Sequence, residues 1–195
     1  VHVFSPREAR ELERLSTGAR TVVLPNGVDL TEVRPAVPPT EHGVLPVFGF
    51  CGRLDARTKG LDLLLRGFAR WTERGGHGEL RLVGEGPDRH PLIALAERLR
   101  IGERVRFLGC SFGTEKLRLL ESLDVFLHPS RNEGMPNAVL EAACLGRPCV
   151  VSRETNLPVS WNAECASTTG APAAPPQAAP APRSQGRRGE VAEGR

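Results

Sequence analysis

At 195 residues, 39% of them hydrophobic, the chain is long enough for one domain and part of a second. Its net charge of +3 is small and dispersed, Arg far outnumbers Lys, and no basic cluster alternates with aromatics, so nucleic-acid binding has no support. No apolar stretch approaches the ~20 residues that span a bilayer and no signal peptide opens the chain, while the five cysteines (Cys51, Cys110, Cys144, Cys149, Cys165) lack a C-x-x-C pair or a histidine at zinc-like spacing, so no metal site is expected and they read as reduced, mostly buried thiols of a cytoplasmic protein.

Val1 to Ser5 reads as a strand already under way, with no initiator Met. Ser5-Pro6-Arg7-Glu8 carries helix-start chemistry, Ser as the cap and Pro just inside, for a helix to about Ser16. Its apolar face is thin (Ala9, Leu12, Leu15), so it needs another body to pack on. Thr21 to Leu24 is a second apolar strand, followed by Pro25-Asn26-Gly27-Val28-Asp29, in which Asn-Gly marks a tight turn. Leu30 to Val44 is a Pro-rich linker.

From Leu45 strands and helices alternate. Strands are expected at Leu45 to Cys51, Glu79 to Gly84, Val105 to Gly109, Asp124 to His128 and Pro148 to Ser152. Helices are expected at Leu61 to Trp71, Pro91 to Arg100, Thr114 to Leu123 and from near Pro136 to Gly146. The first of these places Leu61, Leu64, Leu65 and Phe68 on one face. Five strands with four interposed helices predict right-handed crossovers and an α/β fold, a doubly wound parallel Rossmann-like sheet. The pattern stops near Leu157-Pro158. An Ala- and Pro-rich run from Ala171 to Pro182 and a charged end follow, a composition expected to stay disordered. The chain thus divides into 1–20, the end of another body; 21–160, the α/β domain; and 161–195, a disordered tail.

The chemistry concentrates where strands end. Pro129-Ser130-Arg131-Asn132-Glu133-Gly134-Met135-Pro136-Asn137 links an apolar strand to a helix whose unpaired first amides can hold an anion. Glu133 and Glu141 flank that helix start. Carboxylates repel phosphate, so they are expected to accept hydrogen bonds from hydroxyls, and amides for a phosphate beside acids for hydroxyls suggest a sugar nucleotide. Arg53 and Lys59 follow another strand and read either as a diphosphate clamp or as solvated surface charge. Val83-Gly84-Glu85-Gly86-Pro87 fails as a dinucleotide fingerprint, because Arg89 occupies the third glycine position and no following helix is expected at the right place. Gly109-Cys110-Ser111-Phe112-Gly113 reads either as a ligand-facing loop or as a connector with Phe112 packed inward. His128 reads as a packed strand-end residue.

The wording around these residues is specific. Glu133 to Glu141 reproduces an E-x7-E signature inside Pro-Ser-Arg-x-Glu-Gly-x-Pro-Asn and Leu-Glu-Ala-x-x-Cys-x-Gly-x-Pro, preceded by Gly-Arg-Leu-x-x-x-x-Lys-Gly-Leu-Asp-x-Leu-Leu and Leu-Val-Gly-x-Gly-Pro. The chain resembles the C-terminal, donor-binding half of retaining GT-B glycosyltransferases of the family 4 type (glycosyl transferases group 1). The resemblance implies that Arg53 and Lys59 bind the donor diphosphate and that Glu133 meets hydroxyls of the transferred sugar. It further implies that Gly134, Met135, Pro136 and Asn137 line sugar and phosphate, and that Glu141 binds the ribose. Gly84 and Gly86 would line the nucleotide pocket, while Gly109, Cys110 and Ser111 would meet the base. It implies a nucleoside-diphosphate sugar as donor, no cofactor or bound metal, an undetermined acceptor (lipid, glycan or small molecule), and a cytoplasmic place that admits attachment at the inner face of a membrane. Residues 1–20 would close an otherwise missing acceptor-binding domain, so the chain by itself is expected to be inactive. Two other readings compete: a fragment that binds nucleotide sugar without turnover, and a glycoside hydrolase using Glu133 and Glu141 as its acid pair.

Overall fold

The structure is a computed structural model and describes residues 1–15, 18, 20–29, 45–155 and 157. The expected linker at 30–44 and the Ala/Pro-rich tail at 161–195 lie outside the described residues. Near the N-terminus, strand β1 (His2–Val3), helix α1 (Pro6–Leu15) and strand β2 (Val22–Val23) form a parallel two-stranded unit. Ser5 Oγ accepts from the Glu8 amide at 3.2 Å, and Glu8 Oε2 accepts from the Phe4 amide at 2.7 Å. This reciprocal pairing fastens the start of α1. Only Ala9 of the thin apolar face is buried, and Leu15 is exposed.

The main body holds strands β3 (Val47–Cys51), β4 (Glu79–Val83), β5 (Val105–Gly109), β6 (Val125–His128) and β7 (Cys149–Val151) in the order β5-β4-β3-β6-β7. Every neighbouring pair is parallel. The chain runs outward from β3 to β5, then returns to the other side of β3. Helices α3 (Leu61–Glu73) and α4 (Arg89–Arg98) therefore cover one face, while α5 (Gly113–Glu121) and α6 (Asn137–Cys144) cover the other. Period-two alternation feeds both layers. In β3, Phe48 and Phe50 join the α3–α4 core, whereas Val47 and Cys51 join the α5–α6 core. Each fully buried Leu or Phe in these layers contributes about 1.5–3 kcal/mol. Because the strands are parallel, all their carboxyl ends reach one rim, and the order reverses between β3 and β6, where such sheets open a crevice.

Four expectations are corrected. The stretch between Arg53 and Lys59 is not a plain flexible loop: Ala56–Lys59 forms a short helix, α2, capped by Asp55, whose Oδ1 accepts from the Thr58 amide at 2.9 Å. Helix α4 begins at Arg89, two residues earlier than its apolar spacing suggested, so a helix does follow the Gly84–Gly86 turn, although the third glycine is still missing. Pro136 caps α6 in an extended conformation and does not occupy its first turn; Gly146, at φ 70°, ends the helix as expected. Of the four cysteines described, none in a disulfide, only Cys51 is buried, so these thiols are not mostly buried. Burial pushes the Cys51 thiol up to about 11.

Candidate functional site

The crevice is assembled by loops that follow β3 and β6, and their backbones are stitched together. Gly60 joins α2 to α3 at φ 67°, and a Cβ there would collide with the carbonyl oxygen of Pro129, so only glycine lets the two loops approach. The Arg131 amide donates to Thr58 O at 2.8 Å. Its guanidinium donates to Ala56 O (3.0 Å) and Arg57 O (3.2 Å), and forks onto Asp62 with bonds of 2.7 and 2.8 Å. Asp88, after β4, accepts from the Ala56 amide at 2.7 Å and fixes the other end of α2.

This frame carries Lys59 to Glu133. Their ion pair is mostly buried, with side chains 19% and 16% exposed. The same carboxylate oxygen, Glu133 Oε2, also lies 3.4 Å from His128 Nε2 and 3.1 Å from Ser130 Oγ. Ser130 Oγ is 3.0 Å from Thr58 O as well, so its single proton serves either acceptor. His128 is buried and stacked on Phe50 at 5.6 Å, and its Nδ1 has no partner. An unpaired N–H is costly in a dry site, so the proton belongs on Nε2, facing Glu133. Burial alone would raise the Glu133 pKa, but the hydrogen bonds from His128 and Lys59 and the charge of Lys59 prevail and hold it down at about 2.

A second acid–lysine pair stands on the α5–α6 side. Lys116 of α5 bonds Glu141 Oε1 of α6 at 2.6 Å, while Glu141 Oε2 is buried without a partner. Both residues line a cleft of about 180 Å³ with Gly27, Val28, Asp29, Gly113, Leu117 and Asn137. The Pro25–Asp29 turn thus reaches the rim, and Asn26 Nδ2 donates to Met135 O at 2.8 Å. Lys59 and Lys116 are the only two lysines in the chain, and each is ion-paired to one glutamate of the E-x7-E pair.

The remaining candidates fall as follows. Arg53 is exposed on the loop after β3; its carbonyl accepts from the Asp55 amide at 2.9 Å, and its guanidinium makes no hydrogen bond among the described residues. Gly84 and Gly86 face the loop after β3: a Cβ on either would strike backbone, Gly52 O or Leu54 O. That contact is closed by Gly52 N to Val83 O and Leu54 N to Glu85 O, both 2.9 Å. Gly109 turns at φ 75°, Cys110 is exposed, and Ser111 Oγ is buried without a partner. Phe112 is 78% exposed and so is not packed inward. Met135 and Pro136 are buried, Gly134 half-buried against Phe4 and Glu8, and Asn137 exposed. Pro136 provides no side-chain cap, and the amides of Asn137 and Ala138 have no acceptor among the described residues, leaving the start of α6 open to an anion. Chain spacing had pointed to neither Lys116 nor Arg131, since the carboxylates they meet, Glu141 and Asp62, are 25 and 69 residues away.

The family described as glycosyl transferases group 1 matches residues 45–175, more than half of the chain. The chain belongs to that family. Among curated group 1 relatives, the O-antigen biosynthesis glycosyltransferase WclY of Escherichia coli is 37% identical over 120 residues, covering 61% of this chain and 30% of WclY. A D-inositol 3-phosphate glycosyltransferase of Saccharomonospora viridis is 32% identical over 174 residues, covering 80% of this chain and 40% of its own length. The apo form of the lipopolysaccharide outer core galactosyltransferase WaaB superposes with a TM-score of 0.68 at 27% identity, covering 82% of this chain and 44% of WaaB. This group 1 chain therefore spans between 30% and 44% of the length of these relatives, and its sheet is the Rossmann-like layer of a GT-B fold. No described helix is long and apolar enough to cross a membrane.

Proposed function

We propose that this chain is the donor-binding half of a glycosyltransferase that moves a sugar from a nucleoside diphosphate to an acceptor hydroxyl, with retention at the anomeric carbon. The observation that carries the reading is the meeting of Lys59 with Glu133 at the strand-order reversal, beside the open amides of α6. Breaking the anomeric bond leaves negative charge on the diphosphate. Arg53, Lys59 and the α6 amides stabilise that charge as it develops, while Glu133 receives sugar hydroxyls and Glu141 those of the ribose. Phosphate-binding cations and amides do this work without a metal.

The hydrolase alternative lacks its acid. Glu133 is held at about 2, the wrong direction for a general acid, and each of the two carboxylates is engaged by a lysine, Glu133 by Lys59 and Glu141 by Lys116. Calorimetry of the 195-residue chain with UDP-, GDP- and ADP-sugars tests the proposal. One of these donors is expected to bind at a single site, and a folded protein that binds none of them overturns it. Assayed by itself, the polypeptide is expected to bind donor without appreciable turnover, since it spans under half the length of its relatives; robust transfer by the purified chain would refute that part. Retention is checked by the anomeric configuration of product formed alongside an acceptor-binding half.

A further inference from the structure

The chain carries 24 arginines and two lysines. At plain structural sites its cations are arginine: Arg131 forks onto Asp62, Arg81 spans Glu79 and Ser122 Oγ, and buried Arg147 reaches Leu145 O and Leu123 O. Lysine stands only against the two E-x7-E glutamates. The chemical difference matters. An arginine fork grips a carboxylate at two points and holds it, whereas an ammonium on a four-carbon stem makes one-point contacts and can change partner with little rearrangement.

Lys59 faces such a choice. In the structure its ammonium donates to Glu133 Oε2, and a phosphate that approaches must share its charge with that carboxylate or draw it away. Glu133 does not depend on it for position, because Ser130 Oγ and His128 Nε2 approach the same oxygen from buried, packed side chains. With Lys59 gone Glu133 keeps those two approaches but loses its third donor. A hydroxyl of a sugar carried on the diphosphate can stand in for it, whereas a bare nucleoside diphosphate offers only ribose hydroxyls, which the reading above assigns to Glu141.

We propose that the Lys59–Glu133 ion pair is an exchange gate: Lys59 passes from Glu133 to the diphosphate only when a sugar hydroxyl takes its place on Glu133. The gate rests on the donor-binding reading above. Its consequence is discrimination between the sugar-bearing donor and the diphosphate product. Donor satisfies both Glu133 and the phosphate, so Lys59 transfers. Once the sugar has left, Glu133 reclaims Lys59, the diphosphate loses a cation, and product release is favoured. A lysine bound more tightly to either partner would defeat the cycle.

The test measures affinities of the full 195-residue chain for UDP, GDP and ADP and for the corresponding sugars, in the wild type, Glu133→Gln, Lys59→Ala and the double variant. Gln is isosteric with Glu and can still accept a hydrogen bond, but it removes the negative charge that holds Lys59. For whichever diphosphate binds, Glu133→Gln is expected to tighten the bare diphosphate about three- to tenfold and to erase the preference for the sugar-bearing form. That gain must be larger with Lys59 present than in the Lys59→Ala background. Plain repulsion between Glu133 and phosphate gives the opposite order, because removing Lys59 exposes the acid. A gain equal or greater without Lys59, or no gain at all, overturns the gate while leaving donor binding intact. Failure of the wild type to bind any nucleotide or nucleotide sugar overturns the donor-binding reading itself.

Discussion

Glu133 concentrates the electrostatics of the crevice on one oxygen. Its pKa in the folded chain is about 2 against an ordinary 4.5. A carboxylate lowered on folding adds stability that is complete above pH 4.5 and fades as pH falls toward 2, because the native state must then take up a proton it otherwise excludes. The contribution is at most roughly 3 kcal/mol, the whole shift converted at about 1.4 kcal/mol per unit, and partial exposure brings it nearer 1–2 kcal/mol. Urea titrations from pH 2 to 7 are expected to show Glu133→Gln less stable than wild type at neutral pH, with the gap closing across the window from 4.5 to 2. A gap that stays constant down to pH 2 contradicts the assignment of Lys59 and His128 as its donors. Gly60 illustrates the other kind of local demand. Its positive φ and the nearness of Pro129 O were not visible in the chain, where Lys-Gly-Leu reads as an ordinary junction.

The elements are held in working order by loop-to-loop bonds as much as by their cores. Arg131 ties the end of α2 and the start of α3 to the loop after β6, and the Arg131 fork is the chief reason the Asp62 carboxyl is held below the usual carboxylate range. The pair is more than a third exposed on the arginine side, so it adds little to global stability, under about 1 kcal/mol. Its role is registration. Arg131→Ala is expected to leave the urea midpoint nearly unchanged while weakening nucleoside-diphosphate binding several-fold, read by calorimetry and denaturation on the same sample, and Asp62→Asn should behave alike. A large fall in stability with unaltered affinity would make the pair a plain structural brace. The short helix α2 explains why such a device was hidden. Four residues give no hydrophobic period, and its caps, Asp55 and Asp88, belong to separate segments.

For the molecule as a whole, the order β5-β4-β3-β6-β7 sets every candidate loop on one rim, and a ligand gathered there links segments from 53 to 141. Binding confined to the folded state therefore stabilises the whole sheet. At a hundredfold excess over its dissociation constant a nucleoside-diphosphate sugar adds about 2.7 kcal/mol, or roughly 5–10 °C in melting temperature for a domain of this size. Differential scanning fluorimetry is expected to show that rise for wild type and most of it lost for Lys59→Ala at the same ligand concentration. An equal rise in both would place the phosphate away from Lys59. The five strands of the main sheet, the four longer helices between them and the family were legible along the chain, because apolar period and motif wording are local properties. Glu133 and Glu141 stood out for the same reason. That Lys59 reaches Glu133 across 74 residues and Lys116 reaches Glu141 across 25 was decided only when parallel strands brought their ends to a common edge, since an ion pair is a matter of distance in space and spacing along a chain does not encode it.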